Sequence, residues 1–279
     1  MPAGRLHVVA TPLGNLEDLS PRAQRVLREA GLIAAEDTRH SAVLLRHFGI
    51  ATPLYAYHEH NEQEAARELV ERLQAGADIA LIADAGTPLI SDPGYRLVRA
   101  AREAGLEVLA IPGPCAAVAA LSISGLPSDR FVFEGFLPAR AQARRERLQA
   151  LAGETRTLVL YESSHRAVEC LEDIAAVWDE RELVLARELT KLHEESVVGT
   201  PRRLLEWLAA DDNRRRGEFV LLAAGRAEVA EAAALDARQV LRVLLEELPP
   251  SQAARLAARL TRGRKKDLYD LALRLKPEE

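Results

Sequence analysis

The sequence predicts an α/β protein made of two α/β domains and a small helical region at the carboxyl end. From about residue 6 to residue 225, short apolar runs alternate with amphipathic helical stretches, a pattern typical of layered α/β folds with a mostly parallel sheet. After Gly225 the texture changes to alanine-rich and then basic helical sequence. We predict domains at residues 1–117, 118–226 and 232–279, and the length of 279 residues agrees with about two main domains of roughly 150 residues.

The composition is that of a globular protein with a sizeable core. It is 48% hydrophobic and 28% charged, which excludes disordered and collagen-like chains. Two cysteines cannot form a disulfide framework, and the longest apolar runs are far shorter than a membrane span. Because no secretory signal is visible, we expect a cytoplasmic protein.

The first domain is predicted from its strands, which are short, apolar and followed by turns. The predicted strands are Leu6–Ala10, Leu32–Ala35, Leu54–Tyr57, Asp78–Ala83 and Leu106–Ile111. Helices are expected between them, and the first has Ser20 as N-cap and Pro21 as its first residue. The predicted helices are Pro21–Ala30, Asn61–Ala75 and Asp92–Ala104.

The same alternation recurs after Pro127 and predicts a second α/β domain of similar size, without an internal sequence repeat. The predicted strands are Phe131–Glu134, Thr157–Tyr161, Leu183–Ala186, Glu194–Val198 and Phe219–Ala224. The predicted helices are Arg140–Leu151, His165–Val177 and Pro201–Ala209.

The carboxyl-terminal region is predicted as three short helices that resemble a helix-turn-helix unit, or form a plain helical cap or dimerisation arm. They are Asp236–Leu244, Ser251–Thr261 and Lys265–Leu275. The net charge of the whole chain is −5, but residues 236–276 hold ten basic and five acidic side chains. A basic tail on an acidic body suggests a phosphate-bearing partner.

Three loops that follow predicted strands of the first domain are rich in glycine and proline. They begin at Thr11, Asp84 and Pro112. Ligands of open α/β sheets bind at the carboxyl ends of strands, so together the loops predict one composite site. Asp84 directly follows an apolar strand and is placed to accept hydrogen bonds from a ligand hydroxyl or amine. None of the loops is a G-x-G-x-x-G or Walker motif, so neither a dinucleotide nor a P-loop site is predicted.

Several longer segments resemble the ribosomal RNA small subunit methyltransferase I family, which has the tetrapyrrole methylase fold. These segments are Thr11–Ser20, Ala35–Arg39, Asp84–Gly94, Ile111–Cys115, Phe133–Pro138, Tyr161–Arg166 and Ala186–Lys191. They occur in the family's order, and the resemblance extends over residues 5–225, with the tail resembling the family's helix-turn-helix region. Tetrapyrrole enzymes of this fold have a glycine-rich turn after the first strand. Thr11–Gly14 replaces that turn here, which fits the members of the fold that act on RNA.

The resemblance implies two α/β domains with an S-adenosylmethionine cleft between them, and a homodimer. It implies 2′-O-methylation of the P-site cytidine in the decoding centre of 16S ribosomal RNA in the 30S subunit. Matching the fold's binding loops onto this sequence gives a set of expected cofactor contacts: Asp84, Gly86, Thr87, Pro112, Gly113, Cys115, Ala116, Tyr161, Ala186 and Arg187.

Methyl transfer from a sulfonium is an in-line displacement that needs alignment of the reactants and removal of the hydroxyl proton. Candidate bases are Asp37, Lys191 and His40. Lysine, unlike arginine, can lose its proton when desolvated, and Lys191 is the only lysine before the tail, in a chain with 33 arginines. We hypothesise that Lys191 or Asp37 assists the proton transfer. No Cys/His spacing matches a zinc site, and no metal is predicted.

RNA contacts are predicted at clustered cationic side chains, since phosphate contacts position an RNA without reading its sequence. The expected residues are Arg39, Arg140, Arg144, Arg145, Arg264, Lys265 and Lys266. Only 4% of the residues are aromatic, so we expect recognition of the shape of the 30S particle rather than extensive base stacking on aromatic side chains. Two alternatives remain open: a methyltransferase of the same fold acting on a tetrapyrrole precursor, and a non-catalytic RNA-binding assembly factor.

Overall fold

A computed structural model describes residues 2–226, 237–261 and 263–275. The chain divides into two compact units, residues 1–225 and 226–279. The larger unit contains two five-stranded sheets with helices packed on them, so the predicted α/β architecture is confirmed.

The first sheet is entirely parallel and has the strand order β3-β2-β4-β1-β5. Its strands are β1 (Leu6–Val9), β2 (Leu32–Ala35), β3 (Leu54–Ala56), β4 (Ile79–Ile82) and β5 (Val108–Ile111). The central strands β2 and β4 are fully buried, as expected for a parallel sheet covered on both faces. All the strand carboxyl ends therefore lie along one edge, where the three glycine- and proline-rich loops emerge.

The second sheet is mixed, with the order β6-β7-β10-β8-β9. Its strands are β6 (Phe131–Phe136), β7 (Thr157–Ser163), β8 (Leu183–Arg187), β9 (Glu195–Gly199) and β10 (Glu218–Ala223). Only the β6–β7 pair is parallel, and the other three pairs are antiparallel. The expectation of a mostly parallel sheet was therefore wrong for this domain, because β10 returns between β7 and β8.

Helices of the larger unit cover both sheets. They are α1 (Pro21–Glu29), α2 (Thr38–His47), α3 (Glu62–Gln74), α4 (Tyr95–Glu103), α5 (Ala116–Ile123), α6 (Ala141–Ala150), α7 (Ala167–Val177) and α8 (Pro201–Ala209). Ser20 caps α1 and Thr200 caps α8 through their side-chain oxygens, each followed by proline at the first helical position.

Two helices, α2 and α5, were not predicted. Helix α5 spans the predicted boundary between residues 117 and 118, and it packs against β7 and β10 of the second sheet. Its Leu121 lies in one apolar cluster with Val159 and Val220. The division between the two sheets therefore falls between β5 and α5, a few residues before the predicted boundary.

The smaller unit contains α9 (Ala237–Glu247), α10 (Pro250–Thr261) and α11 (Lys265–Leu275), as the sequence predicted. Their common core is small and alanine-rich, with Leu241, Ala257 and Leu268 among its buried side chains. Helix α10 begins at Pro250, one residue before the predicted start. Three features of the sequence lie outside the described residues: the alanine-rich stretch 227–234, the predicted helix start at Asp236, and Arg262 of the basic tail.

Across the described ranges, the helices are too short or too polar to cross a membrane.

Candidate functional site

The three predicted loops are tied to one another by hydrogen bonds at the carboxyl edge of the first sheet. Thr11 and Gly86 form a two-way backbone bridge, with N···O distances of 2.8 and 3.0 Å. The Thr87 hydroxyl donates to the Pro114 carbonyl at 2.8 Å. The loops after β1, β4 and β5 therefore form a single structure, as the sequence predicted.

Glycine is required at two close approaches in these loops. Gly86 has a φ of +82°, and a Cβ there would lie 3.1 Å from Leu13. Gly14 has a φ of +152°, and a Cβ there would lie 2.5 Å from the Lys191 side chain. Any other residue would have to strain its backbone and displace its neighbour.

A cavity of about 400 Å³, here called cavity A, lies between the loops of the first domain and the second sheet. Its volume is within the range of small-molecule sites. The lining residues are Leu13, Glu36, Asp84, Ala85, Gly86, Thr87, Ile90, Ser91, Asp92, Cys115, Ala116, Phe136, Tyr161, Glu162, Ser163, Leu189, Glu218, Phe219 and Val220.

Three carboxyl groups of the first domain face cavity A. Burial, together with the nearby Glu36 and Asp84 carboxylates, raises the pKa of Asp92 to about 7. Burial and Asp84 also raise the pKa of Glu36. Within the described residues, the side chains of Asp92 and Glu36 form no hydrogen bond or salt bridge, so this corner of the cavity is acidic. No three His, Cys, Asp or Glu side chains in the described ranges are arranged to hold a metal ion.

The opposite wall of cavity A is aromatic and comes from the second domain. The Tyr161 ring packs edge-to-face with Phe133 and Phe136, at centroid distances of 5.0 and 5.7 Å. The Tyr161 hydroxyl accepts the backbone N–H of Ala117 at 3.0 Å. This bond at the start of α5 fixes the aromatic wall relative to the loop that carries Cys115 and Ala116.

A second cavity of about 430 Å³, here called cavity B, adjoins cavity A. Its lining residues are Pro12, Leu13, Gly14, Leu16, His40, Val43, Leu44, His47, Asp84, Ala85, Lys191 and Glu218. One wall is the loop after β1 and the other is a face of α2. Leu13, Asp84, Ala85 and Glu218 line both cavities.

Lys191 connects the two domains at cavity B, because its aliphatic chain lies across Gly14 of the first domain. Its ammonium group donates to Glu188 at 2.9 Å and to Glu218 at 3.0 Å, both in the second domain. Burial on its own lowers the pKa of Lys191, but the hydrogen bonds to the two carboxylates outweigh it and raise the pKa. The side chain is therefore a stable cation.

The contacts of Lys191 and Asp37 argue against the hypothesis that either residue takes the hydroxyl proton, which stays a prediction. A lysine with a raised pKa is a poor base. Asp37 is the N-cap of α2, and its carboxylate accepts the backbone N–H groups of Arg39 and His40 at 2.8 and 3.4 Å. These bonds lower the pKa of Asp37, and Asp37 lines neither cavity. His40 does line cavity B.

Six of the ten predicted cofactor residues meet at cavity A: Asp84, Gly86, Thr87, Cys115, Ala116 and Tyr161. The other four are not in its lining. Gly113 packs against Ala10 at the end of β1, with Pro112 beside it, and Ala186 is buried in the second sheet.

Arg187 is corrected from a cofactor contact to a structural residue. Its buried guanidinium donates to the backbone carbonyls of Arg216 and Asn213, both at 2.7 Å, and pairs with Glu195 at 2.9 Å. Nothing of the side chain is left to face a ligand.

The prediction that Arg144 contacts RNA is wrong. Its side chain is only 2% exposed, and it donates to the Asp173 carboxylate at 2.6 Å and to the Ala139 carbonyl at 3.2 Å. Arg145, one residue on, is half exposed. The remaining predicted residues are exposed: Arg39, Arg140, Arg264, Lys265 and Lys266.

Comparison with known proteins assigns the family. A model of the tetrapyrrole (corrin/porphyrin) methylases matches residues 5–205, and a model of the RsmI C-terminal HTH domain matches residues 231–276. The chain is 57% identical over 277 residues to the ribosomal RNA small subunit methyltransferase I of Pseudomonas aeruginosa, covering 98% of both chains. The chain belongs to this methyltransferase family. The relative from Escherichia coli O157:H7 is 54% identical, over 97% of this chain and 95% of its own.

Solved structures with low sequence identity share the fold of the larger unit. Diphthine synthase superposes with a TM-score of 0.60 at 16% identity, covering 79% of this chain and 90% of its own. A uroporphyrin-III C-methyltransferase from Thermus thermophilus, solved with S-adenosyl homocysteine, has a TM-score of 0.54 at 19% identity, covering 79% and 97%. The family's fold therefore extends over both α/β domains described here.

The sequence analysis missed several lining residues, of which Glu36, Asp92, Glu162 and Glu218 carry charge. Glu36 and Asp92 each lie in a segment that supports the family resemblance, Ala35–Arg39 and Asp84–Gly94. Glu36 directly follows β2, and Asp92 lies in the loop that follows β4, which was a usable signal. Glu218 begins β10, and nothing local distinguishes it, because only the β7–β10–β8 pairing brings it to the cleft.

Proposed function

We propose that this protein methylates the ribose 2′-hydroxyl of the P-site cytidine in 16S ribosomal RNA, with S-adenosylmethionine as the donor. The observation that carries the proposal is identity of 54–57% over almost the full length to relatives named ribosomal RNA small subunit methyltransferase I. The 2′-O position and the cytidine are the activity that the motif resemblance implies.

The residues of cavity A fit an adenosyl sulfonium ligand. S-adenosylmethionine supplies an electrophilic methyl group on a positively charged sulfur. Glu36, Asp84 and Asp92 offer negative charge, and the Glu36 and Asp92 carboxylates have no salt bridge among the described residues, which suits a cationic ligand. The apolar side of the cavity, with Leu189, Val220 and the Tyr161 ring, suits a heterocycle.

Exposed cations on both units support an RNA partner. Arg39 lies on α2, whose residues line cavity B, and its side chain is 93% exposed. Arg264, Lys265 and Lys266 lie at the start of α11 and are exposed. We propose that these side chains contact phosphates of the 30S subunit, and that the enzyme works in the cytoplasm as a homodimer, as the family resemblance implies.

The experiment that tests the proposal is site mapping of the methyl group. Purified protein and S-adenosylmethionine are incubated with 30S subunits from cells that lack this activity, and the 16S RNA is digested and analysed for 2′-O-methylcytidine by mass spectrometry. We expect one modified cytidine in the decoding centre. Naked 16S RNA and 50S subunits are the matched control substrates, and both should remain unmodified at physiological salt.

Other outcomes separate the two alternatives. Transfer to a tetrapyrrole precursor but not to 30S subunits would assign the chain to the small-molecule branch of the fold. Binding to 30S subunits without measurable S-adenosylmethionine binding in calorimetry would indicate a non-catalytic assembly factor. Modification of a base, or of a different nucleotide, would overturn the assignment of the 2′-hydroxyl.

A further inference from the structure

Cavities A and B have one common wall, and this wall limits where transfer can occur. Leu13, Asp84, Ala85 and Glu218 line both cavities. A donor in cavity A can reach an acceptor in cavity B only across this wall, because in-line transfer requires near contact between the reacting atoms. The wall carries two carboxylates, Asp84 and Glu218. The Glu218 carboxylate accepts a hydrogen bond from the Lys191 ammonium at 3.0 Å.

Asp84 is the wall carboxylate with free accepting capacity. Its Oδ1 accepts the backbone N–H of Asp37 at 3.1 Å. This single bond orients the carboxylate and leaves Oδ2 without a hydrogen bond from any described residue. A carboxylate fixed at one oxygen and open at the other is suited to accept a proton from a ligand hydroxyl.

The face of α2 that lines cavity B is suited to a planar, uncharged group. His40, Val43, Leu44 and His47 follow the spacing of one helical face, while Ser41 and Leu45 are buried on the other side of the helix. The facing loop adds Pro12, Leu13 and Leu16. Imidazole rings and aliphatic side chains are the groups against which proteins stack an unpaired base.

Charge within cavity B favours a nucleoside inside and phosphate outside. The ammonium of Lys191 is compensated by Glu188 and Glu218, so it offers little attraction to a phosphate. Arg39, on the same helix, projects into solvent with its side chain 93% exposed. A nucleotide entering base first would keep its phosphates near this exposed cation.

We propose that cavity B is the acceptor subsite, which takes one unstacked pyrimidine nucleoside and places its ribose hydroxyl against Asp84. The inference rests on the proposed function and adds to it the place of the substrate and the proton acceptor. In the transfer, the hydroxyl proton moves to Asp84 Oδ2 while the ribose oxygen bonds to the methyl carbon. The carbon–sulfur bond breaks, and its electron pair stays on the sulfur of the sulfonium donor, which becomes a neutral thioether.

A bulky substitution at Val43 tests the subsite. Val43 is 67% exposed, so Val43→Trp fills cavity B without disturbing the core. We expect kcat/KM for 30S subunits to fall at least tenfold, while the Kd for S-adenosylmethionine in calorimetry stays within twofold of wild type. The matched control is Val198→Trp on β9, a 48% exposed valine outside both cavities, which should leave both quantities unchanged.

Two results would overturn the subsite. Full kcat/KM in Val43→Trp would show that the acceptor binds elsewhere, and an equal loss of S-adenosylmethionine binding would show that cavity B belongs to the donor. Failure of the wild-type protein to methylate 30S subunits would instead contradict the proposed function.

In that case the subsite is tested by methyl NMR, in which the S-adenosylhomocysteine complex is titrated with cytidine monophosphate. Shifts at Leu13, Val43 and Leu44 support it, and shifts confined to other methyl groups contradict it.

Asp84→Asn tests the proton acceptor, because asparagine keeps the shape and the hydrogen bond from Asp37 but cannot take a proton. We expect kcat to fall by roughly a hundred- to ten-thousand-fold, the usual contribution of general-base catalysis, with KM for 30S subunits little changed. A variant with wild-type kcat would exclude Asp84 from this role.

Discussion

The carboxylates of the first domain that face cavity A differ from the charged side chains of the second domain in how they are paired. In the first domain, Glu36 and Asp92 face cavity A without a hydrogen bond or salt bridge among the described residues. In the second domain, charged groups pair with each other: Arg144 with Asp173, Arg166 with Glu162, and Arg187 with Glu195. Lys191, between Glu188 and Glu218, follows the same rule.

This difference separates charges that hold the fold from charges left for a ligand. A buried charge without a partner costs free energy in the empty protein, and a cationic ligand can recover that cost on binding. A buried charge that is already paired contributes little free energy to ligand binding. It mainly holds together the helices and strands that carry the pair. The exposure of Arg144 and Arg145, adjacent in sequence, shows that residue type alone does not reveal which use applies.

The largest effect is expected from breaking a buried pair in the second domain. Arg144→Met removes the 2.6 Å partner of the Asp173 carboxylate, which is 11% exposed and keeps only the half-exposed Arg145 at 3.4 Å. We expect about 3 kcal/mol less stability in urea unfolding. Arg145→Met is the control, since this half-exposed residue should contribute less than about 1 kcal/mol. Neither substitution should change the Kd for S-adenosylmethionine. Equal losses of stability would show that the two arginines are equivalent.

An intermediate effect is expected at Lys191, where a paired charge borders the cleft. Lys191→Met unpairs Glu188 and should lower stability by about 1 kcal/mol and kcat on 30S subunits about tenfold, through misplacement of the Gly14 loop. Because the role is positional, Lys191→Arg should recover most of the activity with an unchanged pH profile. If Lys191→Arg is as inactive as Lys191→Met and its pH profile is shifted, Lys191 is the base.

An effect that depends on pH is expected from an unpaired charge of the first domain. Folding raises the pKa of Asp92 to about 7, so ionisation disfavours the folded state. This group's contribution to stability is therefore greatest below about pH 4 and is lost as the pH rises towards 7. Asp92→Asn should raise the melting temperature at pH 8 and leave it unchanged near pH 4.

The same substitution should weaken the donor site. An ionised Asp92 attracts a cationic sulfonium, so we expect the wild type to bind S-adenosylmethionine about fivefold more tightly at pH 8 than at pH 6, roughly 1 kcal/mol. Asp92→Asn should lose this difference, as measured by calorimetry. Asp129→Asn, at a carboxylate that is 77% exposed, should behave as the wild type. A pH-independent wild-type Kd would show that Asp92 does not face the cation.

Helix α2 shows how a readable local signal can be missed. Asp37 followed by an apolar-periodic stretch is an N-cap pattern, whereas its carboxylate alone made Asp37 a candidate base. The structure places Asp37 at the cap and turns His40 and Val43 towards cavity B. Interpreting the cap first would have predicted the helix and removed Asp37 from the candidate bases.

The sequence by itself determined the strands, the helical tail, the three loops and the family, because apolar periodicity, proline, glycine and long ordered motifs are local properties. The tertiary structure decided the mixed order of the second sheet, the burial of Arg144 and Arg187, and the cation state of Lys191. It also decided that Asp84 and Glu218, 134 positions apart, line both cavities. Burial, charge pairing and proton affinity depend on neighbours distant in sequence, and only strand pairing and domain contacts bring those neighbours together.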